Sequence, residues 1–247
     1  MQDLDQIALR LRNIHKTFEQ NNIKTQVLGG IDVVLHKGEV VALVGPNGCG
    51  KTTLVKIIVK ALQPDERVAR EVYGSIGVVF QNHRLLPWLT VEENIGLPLQ
   101  LKNGNEPKPP SEYVQDLLSR TGLAAMQHGP IKPLSGGQRQ MVAILRALCT
   151  DPAILVMDEP FSALDERNRG LFRKEVEMWR KGGKALFLVT HDPEEAAFLA
   201  DRVLVLSRRP STVRKEIPIG IPHIAREAAK WETTLTSITR ELERYLR

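Results

Sequence analysis

Cysteine is scarce: only Cys49 and Cys149 occur, far apart and without metal-ligand spacing. That excludes a disulfide-stapled secreted scaffold and points to a reduced, cytosolic compartment. Long apolar runs are missing too. None approaches the roughly 18–20 residues of a membrane-spanning helix, and the acidic start Met1-Gln2-Asp3-Leu4-Asp5 lacks the apolar stretch of a signal peptide. The chain is therefore expected to be soluble, with any membrane link made through a partner. Blocks of one charge are also absent. Net charge is +5, and the local basic clusters, Arg208-Arg209 and Arg214-Lys215, are short. Such a mild excess suits phosphate handling, an anionic membrane face or nucleic acid alike, so charge alone decides nothing. No internal repeat is visible. What the chain does have is size and apolar content. Its 247 residues, 42% of them hydrophobic, support one large domain or a domain with an insertion, and argue against bulk disorder.

Ile7, Leu9 and Leu11 alternate with Ala8, Arg10 and Arg12, the period of a half-buried strand. Ile31, Val33 and Leu35 repeat it before a turn at Lys37-Gly38. Residues 40–44 are a continuous apolar run, expected of a strand buried on both faces. A helix opens at Gly50 and should carry Leu54, Ile57, Ile58 and Ala61 inward. Further buried strands are expected over 76–80, 154–157, 185–189 and 203–206. Strands alternating with helices indicate a mostly parallel sheet with helices on both faces. Residues 85–148 break that rhythm. They show helical periodicity (Val114, Leu117, Leu118, Thr121) and a connector over 102–110 rich in Pro, Gly, Asn and Lys, so they read as a helical insertion. Near the end, Ile224, Ala228, Trp231, Leu235, Ile238, Leu242 and Tyr245 follow steps of four and three. This is an amphipathic helix within 223–247, its stripe packing on its own domain or on a partner chain.

The motif richest in chemistry follows the 40–44 strand. Gly45-Pro46-Asn47-Gly48-Cys49-Gly50-Lys51-Thr52-Thr53 places glycines where backbone N–H groups curl around an anion, and the helix start adds its positive dipole end. Lys51 is spaced to reach the outer phosphates of a nucleotide, and Thr52 to ligate Mg2+. Cys49 is either a thiol activated by the helix start or a small tolerated residue, with the second reading preferred. The 154–157 run ends in Asp158-Glu159, and acids closing a core strand are costly unless used at its exposed tip. Asp158 is assigned to Mg2+, and Glu159 to the water that attacks the terminal phosphate of ATP.

Together with Leu134-Ser135-Gly136-Gly137-Gln138-Arg139-Gln140, these motifs resemble the ATP-binding subunits of ABC transporters, over about residues 7–218. The resemblance implies an α/β fold: a P-loop NTPase (RecA-like) core with a mostly parallel sheet, an N-terminal antiparallel β subdomain and an inserted helical subdomain. It divides the chain into a cassette over 1–222, with 85–148 inserted, and the terminal helix. A Ser-Gly-Gly turn at a helix start is a second anion-binding end, more than one triphosphate needs. The family resemblance implies that Ser135, Gly136, Gly137 and Gln138 complete the site of an opposed second copy. By the same resemblance Gln81 senses Mg2+ and links the site to a membrane partner, and His191 contacts the terminal phosphate. Ser162-Ala163-Leu164-Asp165 then crosses the seam between cassettes, and Phe18 stacks on adenine unless it is simply a core residue.

Within the family, Leu85-Leu86-Pro87-Trp88, Phe198-Leu199-Ala200-Asp201-Arg202-Val203 and Ser207-Arg208-Arg209-Pro210 look like importers of the nitrate, sulfonate, taurine and bicarbonate group. The resemblance makes Leu86 and Trp88 candidates for docking a short permease helix, with core packing the alternative. The implied partners are a second ATP-binding subunit, transmembrane permease subunits and, indirectly, a solute-binding protein, with no nucleic acid. The implied location is cytoplasmic, peripheral on the inner face of the cell membrane. Two departures stand out: the stretch before Gln81 is shorter than usual, and Met141 stands where a basic residue is common. No large regulatory domain fits after Pro222. A soluble cassette ATPase acting on DNA or ribosomes usually carries two cassettes or a long coiled-coil insertion, and neither is present. A binding module without hydrolysis conflicts with intact Glu159 and His191.

Overall fold

The N-terminal alternation becomes a hairpin of β1 (Ile7–Gln20) and β2 (Ile23–His36), in a computed structural model that describes residues 6–65, 70–102, 111–223, 226 and 231–246. Asn21 and Asn22 close the hairpin at φ 51° and 61°, left-handed values that asparagine tolerates and a two-residue primed turn requires. Five residues form β3 (Val40–Val44), all buried. A short β4 (Arg70–Val72) pairs antiparallel with β1, giving a three-stranded sheet in the order β2-β1-β4.

The second sheet is built from β3 and from β5 (Ile76–Val79), β6 (Ile154–Asp158), β7 (Ala185–Val189), β8 (Arg202–Leu206) and β9 (Val213–Pro218). Its order is β5-β6-β7-β3-β8-β9, parallel except for β9. Alternate residues of each central strand enter opposite apolar clusters: Val40, Ala42 and Val44 on one face, Val41 and Leu43 on the other. That division is the two-residue period of a strand buried on both sides.

Seven α-helices are described: α1 (Lys51–Ile58), α2 (Val91–Lys102), α3 (Glu112–Arg120), α4 (Gly136–Leu148), α5 (Glu166–Lys181), α6 (Pro193–Leu199) and α7 (Glu232–Leu246). Helices α2–α7 contribute to the core on one face of the parallel sheet. On the opposite face α1 shares the cover with the three-stranded sheet, so among the described residues that face is less helical than expected. Two other expectations are corrected. Ala61 is exposed, because Lys60 turns to φ 61° and the N–H groups of Ala61 and Leu62 bond back to Lys56 O (2.8 and 3.1 Å), ending the helix before it. Residues 76–79 form an edge strand in which Ile76 and Val78 are only half-buried, not a strand covered on both faces.

The 85–148 segment contributes α2, α3 and α4 between β5 and β6. It is tied to α5 by a polar cluster around the buried Glu175, which pairs with Arg120 (2.7 Å) and accepts from Tyr113 Oη (2.7 Å). The stripe of α7 packs on its own chain: Leu242 is fully buried, and Trp231, Leu235, Ile238 and Tyr245 pack half-buried against the helical-face core. Ile224, Ala228 and residues 103–110 of the expected connector lie outside the described residues.

Candidate active site

The glycine motif leaves the tip of β3 and enters α1, so its backbone lies at the C-terminal edge of the parallel sheet. Gly50 sits at φ 117°, and a Cβ there would lie 2.8 Å from both a Val27 and a Leu28 methyl, so only glycine fits. Lys51 is buried, and its Nζ donates to the carbonyls of Gly45 (2.7 Å) and Pro46 (3.3 Å), folding the ammonium across the loop. Burial pushes the Cys49 thiol up against the opposing charge of Lys51, so it is a small packed residue and not an activated nucleophile. Thr53, the third residue of α1, is half-buried.

The neighbouring strand tip supplies the acids. Thr52 Oγ1 donates to Asp158 Oδ2 at 2.7 Å, bringing together the two side chains assigned to Mg2+. Burial pushes the Asp158 carboxyl up, the Thr52 hydroxyl opposes this, and the adjacent Glu159 charge adds to the rise. A buried carboxylate beside a hydroxyl is a hard-oxygen donor set whose charge a small divalent cation would relieve. Glu159 takes φ 55° and donates its N–H to Val189 O (2.8 Å), which turns it toward the tip of β7. There its Oε2 lies 2.5 Å from His191 Nδ1. Lys51, Thr52, Asp158, Glu159 and His191 thus converge along three adjacent strand ends.

Other expected residues stay apart. Gln81 is exposed beyond β5 and, among the described residues, bonds to neither Thr52 nor Asp158. Phe18 is 41% exposed on the hairpin, with Lys16 Nζ 5.6 Å from its ring centroid, which makes it a surface aromatic and not a core one. In the hairpin register Phe18 lies opposite Thr25, two residues beyond the Lys16–Leu28 pair. Ser135 caps α4 in a reciprocal box with Gln138, each bonding the other's backbone N–H (3.2 and 2.8 Å). Among the described residues Ser135, Gly136, Gly137 and Gln138 make no hydrogen bond to residues 45–53. Gly137 instead abuts the 162–165 loop of its own chain, where a Cβ would meet Ala163 O at 2.6 Å. Asp165 caps α5 by accepting from Asn168 N (2.9 Å).

Some participants carried no sequence signal. Arg169 donates to Phe161 O (3.2 Å) and Leu164 O (3.1 Å) and pairs with Glu195 Oε1 (3.1 Å), joining the 161–164 segment to the helix after His191. Glu195 also accepts from Thr190 (3.3 Å); burial first, then Asp192, push its carboxyl up to about 7. Asn94, fully buried, donates to the carbonyls of Leu86, Leu89 and Thr90 and accepts from Leu86 N (2.8 Å). It moulds a turn that leaves Trp88 76% exposed while Leu86 is half-buried. Among the described residues no helix is long and apolar enough to cross a membrane.

The ABC transporter family model matches residues 28–162. An aliphatic sulfonates import ATP-binding protein (SsuB 1) of Pseudomonas syringae pv. syringae is 40% identical over 85% of this chain and 85% of its own length. The SsuB protein of Bacillus licheniformis is 36% identical over 96% of this chain and 95% of its own. A solved dimeric ATP-binding cassette, in a post-hydrolysis state with ADP and Pi, superposes with a TM-score of 0.75 at 27% identity, covering 87% of this chain and all of that one. With the nucleotide loop, acidic strand tip and Ser-Gly-Gly helix start arranged on this fold, the chain belongs to the ABC transporter family and is an ATP-hydrolysing ATP-binding subunit.

Proposed function

We propose that this subunit powers the uptake of small organic or inorganic anions, sulfonates foremost, with nitrate, taurine and bicarbonate in the same class. The relatives named for aliphatic sulfonate import support the cargo class. The observation that carries the chemistry is the pairing of Thr52 with Asp158 (2.7 Å) beside that of Glu159 with His191 (2.5 Å), both at the edge occupied by Lys51. In this reading the amides of residues 45–53 and Lys51 hold the phosphates of ATP, and Phe18 stacks on its base. Thr52, Asp158 and Gln81 would hold Mg2+, which when bound neutralises phosphate charge. Glu159 orients the attacking water and accepts its proton at the carboxylate. His191 holds that carboxylate in place through Nδ1 and faces the terminal phosphate.

The cassette, residues 1–222 with 85–148 inserted, works as a pair in which Ser135, Gly136, Gly137 and Gln138 of one copy close over the nucleotide of the other. Asp165 lies at that seam. A permease docks near Gln81, on the surface that displays Trp88, placing the pair on the inner face of the membrane; a solute-binding protein delivers the anion outside. Trp88→Ala tests this arrangement. It removes an exposed side chain from a turn held by Asn94, so folding and basal hydrolysis should be unchanged. Co-purification with the membrane-embedded permease should fall about tenfold or more, the scale of an aromatic anchor. Undiminished recovery of the complex would remove the docking assignment.

A further inference from the structure

The Arg209 guanidinium and the Ser211 hydroxyl, both in the loop between β8 and β9, bond to the carbonyls of Gly48 and Cys49 in the nucleotide loop. These contacts span 161 and 162 residues of sequence. The loop that makes them is itself fixed: Ser211 N donates to Val27 O (2.9 Å), and Ser211 O accepts from Gly29 N (2.8 Å). It is therefore a platform anchored on β2. From it, two donors reach the carbonyls of the cradle.

The consequence follows from peptide geometry. In a trans peptide the C=O and the next N–H point in opposite directions. Holding Gly48 O turns the Cys49 N–H the opposite way, where it donates to Pro46 O (3.2 Å) and closes the turn of the loop. That same oxygen receives Lys51 Nζ, so this amide faces the side occupied by the lysine. Holding Cys49 O outward likewise directs the Gly50 N–H into the cradle. The turn that seats Lys51, and the Gly50 amide left for an anion, are thus oriented by side chains from a different part of the fold. A loop with glycines at φ 75° (Gly48) and 117° (Gly50) has many other conformations available, and an external clamp removes them.

We propose that Arg209 and Ser211 are positioning residues for nucleotide binding, pre-orienting the cradle amides by clamping the Gly48 and Cys49 carbonyls from behind. This gives the Ser207-Arg208-Arg209-Pro210 motif a mechanical role on the nucleotide site. It rests on the assignment of residues 45–53 as the phosphate cradle.

ADP, which is not turned over, is the probe, and affinity is read by titration calorimetry on the full chain. Arg209→Ala and Ser211→Ala should each weaken ADP about three- to tenfold, the scale of a single lost hydrogen bond. Turnover at saturating ATP should stay within about twofold, so the effect falls on KM and not on kcat. Arg209→Lys, which retains a donor, should recover most of the affinity. Lys215→Gln, on the exposed side of β9, is the charge control and should bind as wild type. Lys51→Ala should lose measurable binding. Melting temperatures establish that the variants are folded; if Arg209→Ala melts early, Arg209→Met, which keeps the aliphatic stem, replaces it. Wild-type affinity in the Arg209 and Ser211 variants, with binding lost in Lys51→Ala, overturns the clamp and spares the cradle. Wild-type affinity in Lys51→Ala overturns the cradle itself.

Discussion

Exchanging Glu159 for Gln changes one atom of the site and should separate binding from hydrolysis. The amide matches the carboxylate in shape and still reaches His191 Nδ1, now 2.5 Å from Oε2, but it has no charge and cannot accept a proton from water. Losing a positioned base costs about two to four decades in turnover, which is roughly 3–5 kcal/mol of barrier. The stability cost is far smaller. The His191 side chain is 64% exposed, so solvent screens the pair and its loss is worth about 1 kcal/mol or less. In a chain of this size that is a melting shift of a few degrees. Removing the Glu159 charge also removes one of the causes that raise the Asp158 carboxyl, so the Thr52–Asp158 pair is not weakened. Phosphate release at saturating ATP and Mg2+ should therefore fall at least a hundredfold while ATP affinity holds. Sedimentation of the variant with ATP should show paired chains, since the closed sandwich is no longer consumed. Turnover within about threefold of wild type, or a loss of affinity that tracks the loss of rate, would refute the role given to Glu159.

Ser135→Ala should reduce hydrolysis by about tenfold or more while leaving ADP affinity of the single chain unchanged, because among the described residues Ser135 makes no hydrogen bond to its own cradle. The same change removes the α4 cap, a cost of about 1 kcal/mol, so rates must be compared well below the melting transition. Equal losses in ADP affinity and rate would place Ser135 in its own chain's site instead. Glu195 sets a pH dependence of stability. Its folded carboxyl titrates at about 7, above the ordinary value of 4.5, among Asp192, Arg169, Arg173 and Thr190. The folded chain therefore holds a proton that the unfolded chain has released, and stability falls as pH rises from 4.5 to 7, by up to about 3 kcal/mol. Glu195→Gln should flatten that slope, and its melting temperature should overtake that of wild type as pH rises; parallel melting curves from pH 4.5 to 8 would dismiss the buried carboxyl as the cause.

The nucleotide cradle, the acidic strand tip and the capped Ser-Gly-Gly turn were legible in the chain itself, because each is local. Glycine spacing, an apolar run ending in acids, and a serine three residues before Gln138 act within a few bonds of backbone, so residue type and order suffice. The apolar periods likewise revealed the central strands, since a strand buried on both faces can hold nothing else. Where the local signal was ambiguous the fold decided. Residues 76–80 read as a buried strand, but the edge position of 76–79 leaves alternate side chains half open. The helix expected to reach Ala61 stops at Ile58, because a left-handed Lys60 lets two amides fold back on one carbonyl. The Arg169 bridge to Glu195 and the hold of Arg209 and Ser211 on the cradle have no periodic or compositional trace. They depend on which strand tips lie side by side. That adjacency comes from the sheet order β5-β6-β7-β3-β8-β9, which packing selects over the whole chain at once.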